Sequence, residues 1–119
     1  MLIRKSIFGA ILALAATANA QEFKCPASQG KNLLFNAAVF DGPAAEKAEL
    51  APDDSKGKTS YTFASWDVGY LYDMGHRVFL VCKFAGLSDA QAVTVKVDRK
   101  VQRCVFRADK GVAAEAVCK

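Results

Sequence analysis

Four cysteines constrain this chain more than any other feature. Cys25, Cys82, Cys104 and Cys118 are separated by 57, 22 and 14 positions. Structural zinc sites draw on close pairs such as C-x₂₋₄-C, and these spacings supply none. A thiol redox site of the C-x-x-C kind is equally absent, and there is a single histidine, His76. An even count in a small chain points instead to two disulfides, and so to an oxidising compartment. The expectation is a stapled domain without metal or cofactor.

The first twenty residues supply the route to that compartment. Arg4 and Lys5 form a short basic start, Ile7 to Ala16 an apolar run, and Ala18-Asn19-Ala20 a small-x-small cleavage site that would leave Gln21 first. The run is too short for a membrane span, which takes roughly 20 apolar residues. A lipoprotein signal would need a cysteine directly after the cleavage point, and Cys25 lies further on. The chain is therefore read as residues 1–20 signal peptide and residues 21–119 one small exported domain. In a two-membrane bacterium the destination is the periplasm, with the extracellular medium as the other possibility. Cleavage lowers the formal charge from +4 to +2, since Arg4 and Lys5 leave with the signal. That balance argues against a nucleic-acid partner, and the export route argues the same way. The 52% hydrophobic and 10% aromatic content excludes disorder. No stable membrane insertion is expected after cleavage.

Along the exported part, Gln21 to Lys31 reads as an extended lead-in, and Leu33 to Phe40 as a strand closed by Asp41-Gly42-Pro43. Pro43 to Leu50 has the features of a two-turn helix, with proline at its first position and Glu46 and Glu49 near its start. Asp53 to Lys58 reads as a solvated loop. Thr59 to Val68 alternates as a strand, Gly69 to His76 is open between strand and loop, and Arg77 to Phe84 is apolar enough for a central strand. Val93, Val95 and Val97 alternate with Thr94 and Lys96, and Val101 to Arg107 and Val112 to Cys118 form a last hairpin. The fold class expected is α+β, mostly β: an antiparallel meander sheet of five or six strands, with one short helix and the N-terminal strand against its covered face. Three disulfide pairings are formally open. Cys104 and Cys118 flank the turn at Ala108-Asp109-Lys110-Gly111, which favours 104–118 together with 25–82.

No catalytic set stands out. There is no G-x-S-x-G elbow and no phosphate-binding glycine loop. His76 with the nearby Asp73, and Asp67, are the best residues available to a small hydrolase. Two groups could instead bind a partner. One is Trp66 and Asp67 with Tyr70 and Tyr72, an aromatic-plus-carboxylate set suited to a glycan or small ligand. The other is the basic run Lys96, Arg99, Lys100, Arg103, Arg107 and Lys110 that follows an acidic first half. Within it, Arg99, Lys100, Arg103 and Arg107 are the candidate contacts. Arg103 and Arg107 share a strand face with Val101 and Val105.

Taken together, Cys25-Pro26, the run Val39-Phe40-Asp41-Gly42-Pro43, Glu46, Leu50, Pro52-Asp53, Trp66, Val81-Cys82-Lys83-Phe84 and Cys104 resemble a family of small uncharacterised periplasmic proteins of proteobacteria. The resemblance covers roughly residues 25–104. Lys83-Phe84 departs from it mildly, because a basic residue followed by tyrosine is common there. The family has no established catalytic residues to transfer. Some members are encoded near type VI secretion loci, so the resemblance implies an immunity or inhibitor role. The expectation is a non-enzymatic protein-binding module, such as an immunity protein or an inhibitor of a cell-wall-degrading enzyme, with a toxin or hydrolase as partner. The alternatives are an envelope or glycan-binding module and, last, a hydrolase.

Overall fold

The computed structural model describes residues 22–58, 61–110 and 113–119. The expected leader and cleavage site lie outside the described residues. The domain is mostly β, as its alternating segments require, and its strands divide between two antiparallel sheets. Strands β1 (Phe23–Lys24), β4 (Asp54–Lys58), β5 (Tyr61–Asp67), β8 (Arg103–Asp109) and β9 (Glu115–Cys118) form a five-stranded sheet in the order β1-β9-β8-β5-β4. Strands β2 (Ser28–Gln29), β3 (Asn32–Asp41), β6 (Val78–Phe84) and β7 (Val93–Val97) form a four-stranded sheet in the order β2-β3-β6-β7. The chain crosses between the sheets one hairpin at a time: β2-β3, β4-β5, β6-β7, β8-β9.

The sheets face each other across one core. Val39, Val78, Leu80, Cys82, Phe84 and Val97 enter it from the four-stranded sheet. Trp66, Cys104, Phe106, Ala116 and Cys118 enter it from the five-stranded sheet. β6 is flanked by β3 and β7: Val78, Leu80, Cys82 and Phe84 fill the core, while Val81 is buried and Phe79 and Lys83 are half-buried on the outer face, so its sequence is nearly unbroken in apolar residues. β7 is an edge strand, and there the valines turn inward while Thr94 and Lys96 stay outside. The disulfides are Cys25–Cys82 and Cys104–Cys118. The first ties the chain just after β1 to β6 in the opposite sheet. The second joins cross-strand partners on β8 and β9.

Five local expectations are corrected or refined. The last four strands are not one continuous meander: β7 pairs with β6, whereas β8 pairs with β5. Buried Val97 and Val101 bracket the crossing, so the chain changes sheets around the core. The helix expected over 43–50 is only a 3-10 turn at Ala44–Glu46, ended by Lys47 in the left-handed region at φ 59°. Ala48 to Leu50 then bonds to β3: the Asp41 amide donates to the Ala48 carbonyl, and the Leu50 amide to the Val39 carbonyl. Sheet pairing outweighs a weak local preference there. The lead-in contains the short strands β1 and β2, and the 53–58 loop is the edge strand β4. Its Lys56 is the residue type that keeps exposed strand edges from pairing further. Finally, the open segment after β5 is a five-residue helix, α1 (Gly69–Asp73), anchored by buried Leu71.

Candidate docking surface

Strand parity determines which side chains face outward from the five-stranded sheet. On β5, Ala64 and Trp66 point into the core, so Phe63, Ser65 and Asp67 lie on the outer face. On β8, Arg103, Val105 and Arg107 do the same, opposite Asp67, Ser65 and Phe63 respectively. β9 adds Glu115 and Val117 across from Arg107 and Val105.

These side chains form three cross-strand rows. In the row nearest α1, Asp67 Oδ1 accepts from Arg103 Nε at 3.0 Å, and beyond Arg103 the Lys119 ammonium lies 3.6 Å from Glu22. The middle row is Asp54, Ser65, Val105, Val117 and Lys24, polar at its ends and apolar over Val105 and Val117. Lys24 lies 3.5 Å from Glu22. The third row is Lys56, Phe63, Arg107 and Glu115, with the Arg107 guanidinium carbon 5.8 Å from the centre of the Phe63 ring.

Two concavities share the apolar middle. One, of about 630 Å³, is lined by Asp67, Gly69, Tyr70, Gln102, Arg103, Val105, Val117 and Lys119. The other, of about 250 Å³, is lined by Glu22, Lys24, Val105, Arg107, Glu115, Val117 and Lys119. They make one groove with a valine floor and a charged rim. Tyr70 stands at its α1 end with 54% of its surface exposed. Gly69 opens α1 close to Gln102, and a Cβ there would push the end of the Gln102 side chain aside.

The expected site residues separate in space. Trp66 is only 4% exposed, and its indole N–H donates to the Leu50 carbonyl at 3.1 Å. Tyr72 is half-buried and its hydroxyl donates to the Val97 carbonyl at 2.8 Å. Of the three aromatics, Tyr70 alone reaches the groove, so Trp66, Tyr70 and Tyr72 do not line a common sugar-binding surface. Asp67, Arg103 and Arg107 do share the face. Arg99 and Lys100 lie in the turn between the sheets, and Lys100 Nζ meets Asp73 Oδ1 at 2.8 Å. Lys96 belongs to β7 of the other sheet. The basic run is therefore not one stripe, and the acidic first half neutralises part of it through Asp67 and Asp73. His76 lies outside the groove, 3.1 Å from Asp41 rather than beside Asp73. A further cavity of about 500 Å³ beside that pair is lined also by Arg77, Phe79 and Lys96, and among the described residues no serine, threonine or cysteine lines it.

Sequence reading missed Val105, Val117 and Lys119 as site residues. The parity of Arg103 and Arg107 pointed to Val105, but Val117 and Lys119 become its neighbours only through the β8-β9 register.

A model of the type VI secretion system Tli immunity protein family matches residues 28–119. The chain belongs to that family. No curated protein and no solved structure matches it. The stretch matched to the Tli immunity family runs from β2 to Lys119, and so includes α1, β5, β8 and β9, which build most of the groove. Cys25 precedes the match, although the disulfide to Cys82 fastens it to the matched part.

Proposed function

We propose that this Tli-family chain acts in the periplasm as a non-enzymatic immunity protein, binding a type VI toxin through the outer face of its five-stranded sheet. The observation that carries the reading is the groove itself. It sets a valine floor and one exposed tyrosine, ringed by charge, on a sheet stapled by the Cys104–Cys118 disulfide. Interfaces concentrate their energy in such central apolar and aromatic anchors with arginine beside them. A specific interface needs about 800 Å² per partner, within reach of a domain this size. A rigid sheet also keeps the ordering cost of association low. Inhibition then needs only occupancy of the toxin surface, with no chemistry by the immunity protein. A wall-degrading enzyme is the narrower form of this target.

The test uses the cognate type VI toxin, sought first among the reading frames that neighbour this chain's gene. Exported immunity protein should protect cells carrying that toxin in the periplasm, and leaderless protein should not. In calorimetry, Tyr70→Ala should weaken binding about 30-fold, the loss expected of a hot-spot truncation. Val117→Arg should weaken it at least as much. Wild-type affinity in both variants would overturn this placement of the docking surface.

A further inference from the structure

The three rows differ in how completely they satisfy their own charges. In the α1-side row Arg103 is paired with Asp67, and Lys119 with Glu22; Lys24 in the middle row also lies by Glu22. Arg107 is different. Among the described residues it is the one groove-lining cation with no carboxylate within ion-pair distance. Glu115 is its cross-strand partner and Asp109 lies two residues along the same strand face, yet neither reaches the guanidinium. The guanidinium lies toward Phe63, and on the far side of Phe63 the register places a second cation, Lys56. The third row thus offers two cations around one aromatic ring against a single acid.

An arginine held over a ring keeps its outward N–H donors free and loses less freedom when it binds. Its fork matches a carboxylate in two parallel hydrogen bonds. We infer that the toxin segment received by this face presents a carboxylate to Arg107, next to an apolar side chain that covers Val105 and Val117. The inference rests on the docking surface proposed above. It adds the chemistry of the partner: an acidic residue within one or two positions of an apolar one. Phe63 and Lys56 become positioning residues, the first by supporting the guanidinium and the second by adding to the local positive potential.

The experiment measures affinity for the same toxin over a range of sodium chloride concentrations, for wild type, Arg107→Gln, Arg107→Lys and Val117→Arg, with thermal unfolding of each. Arg107→Gln should lose at least about tenfold in affinity and flatten the salt dependence, because one charge pair has gone. Arg107→Lys should recover the salt dependence but only part of the affinity, since a point charge replaces the fork. An acidic residue on the toxin that no longer contributes once Arg107 is substituted would identify the carboxylate by a double-mutant cycle. If Val117→Arg abolishes binding while Arg107→Gln keeps both affinity and salt slope, the carboxylate inference is wrong and the docking surface stands. If Arg107→Gln weakens binding with an unchanged salt slope, Arg107 acts by stacking, and the inference is again overturned. If neither substitution matters and both proteins remain folded, the docking surface falls and the inference with it.

Discussion

Tyr72 holds its hydroxyl against the Val97 carbonyl, and burial pushes its pKa up to about 12, partly offset by a backbone hydrogen bond from Val78. The unfolded chain ionises this group near 10, so between those values the unfolded state has lost a proton that the folded state keeps. Stability supported by the neutral phenol is complete below pH 10 and declines as the pH rises from about 10 to 12. Tyr72→Phe should remove this component, seen as a shallower fall of the unfolding midpoint across that range. The same substitution deletes the bond to Val97, so it should lower stability at neutral pH by about 1 kcal/mol. The three aromatics Trp66, Tyr70 and Tyr72 lie within seven residues and look alike as binding candidates in the sequence. Their roles diverge because β5 ends between Trp66 and Tyr70. Trp66 still obeys strand parity and points inward, whereas the turn into α1 sends Tyr70 outward and Tyr72 back toward β7.

At the scale of elements, the two disulfides restrain different things. Cys25–Cys82 joins the two sheets and closes a separation of 57 residues, whereas Cys104–Cys118 joins neighbouring strands across 14. Loop entropy in the unfolded chain predicts losses of about 4 and about 3 kcal/mol when each is removed. Urea denaturation of Cys25→Ala/Cys82→Ala and Cys104→Ala/Cys118→Ala should therefore show the lower midpoint for the first pair. The pairing was legible because a turn signal separates Cys104 from Cys118. Long alternating or apolar strands such as β3, β6 and β7 were legible for a similar reason: burial on one or both faces leaves a pattern of period two or an unbroken run. β4 was not, because a polar edge strand is held by the backbone of β5 and carries no apolar pattern. Nor was the fate of residues 43–50, whose alanines and glutamates favour helix locally. There Lys47 takes a left-handed conformation, and Leu50 is drawn to β3 by backbone hydrogen bonds and offers its carbonyl to Trp66.

For the whole molecule, the division into two sheets gives two outer faces of different character. The outer face of the four-stranded sheet carries Thr94 and Lys96, both exposed. Thr94→Glu and Lys96→Glu should leave toxin affinity within about twofold, as surface changes remote from an interface do. Val117→Arg on the opposite face should abolish it. A pull-down of the toxin with each variant distinguishes the faces directly. The acidic first half and basic second half suggest a polarised molecule when read in line. Folding brings Asp67 to Arg103 and Asp73 to Lys100, and much of that polarity cancels. What survives on the groove is local, at Arg107, and no count of charges along the chain reveals it.

The sequence by itself determined the covalent frame and the class of fold. Cysteine spacing, turn residues and alternation are local or covalent properties, and they prescribe a stapled, mostly β domain. Tertiary structure decided the rest, because a docking surface depends on pairings between residues far apart in the chain. The register of β8 against β5 and β9 sets Val105 beside Val117 and aligns Arg107 with Phe63. The crossing after Val97 places Lys96 on one sheet and Arg103 on the other. Backbone hydrogen bonds set those neighbours and the packed core holds them, so they exist only once the two sheets have closed on each other.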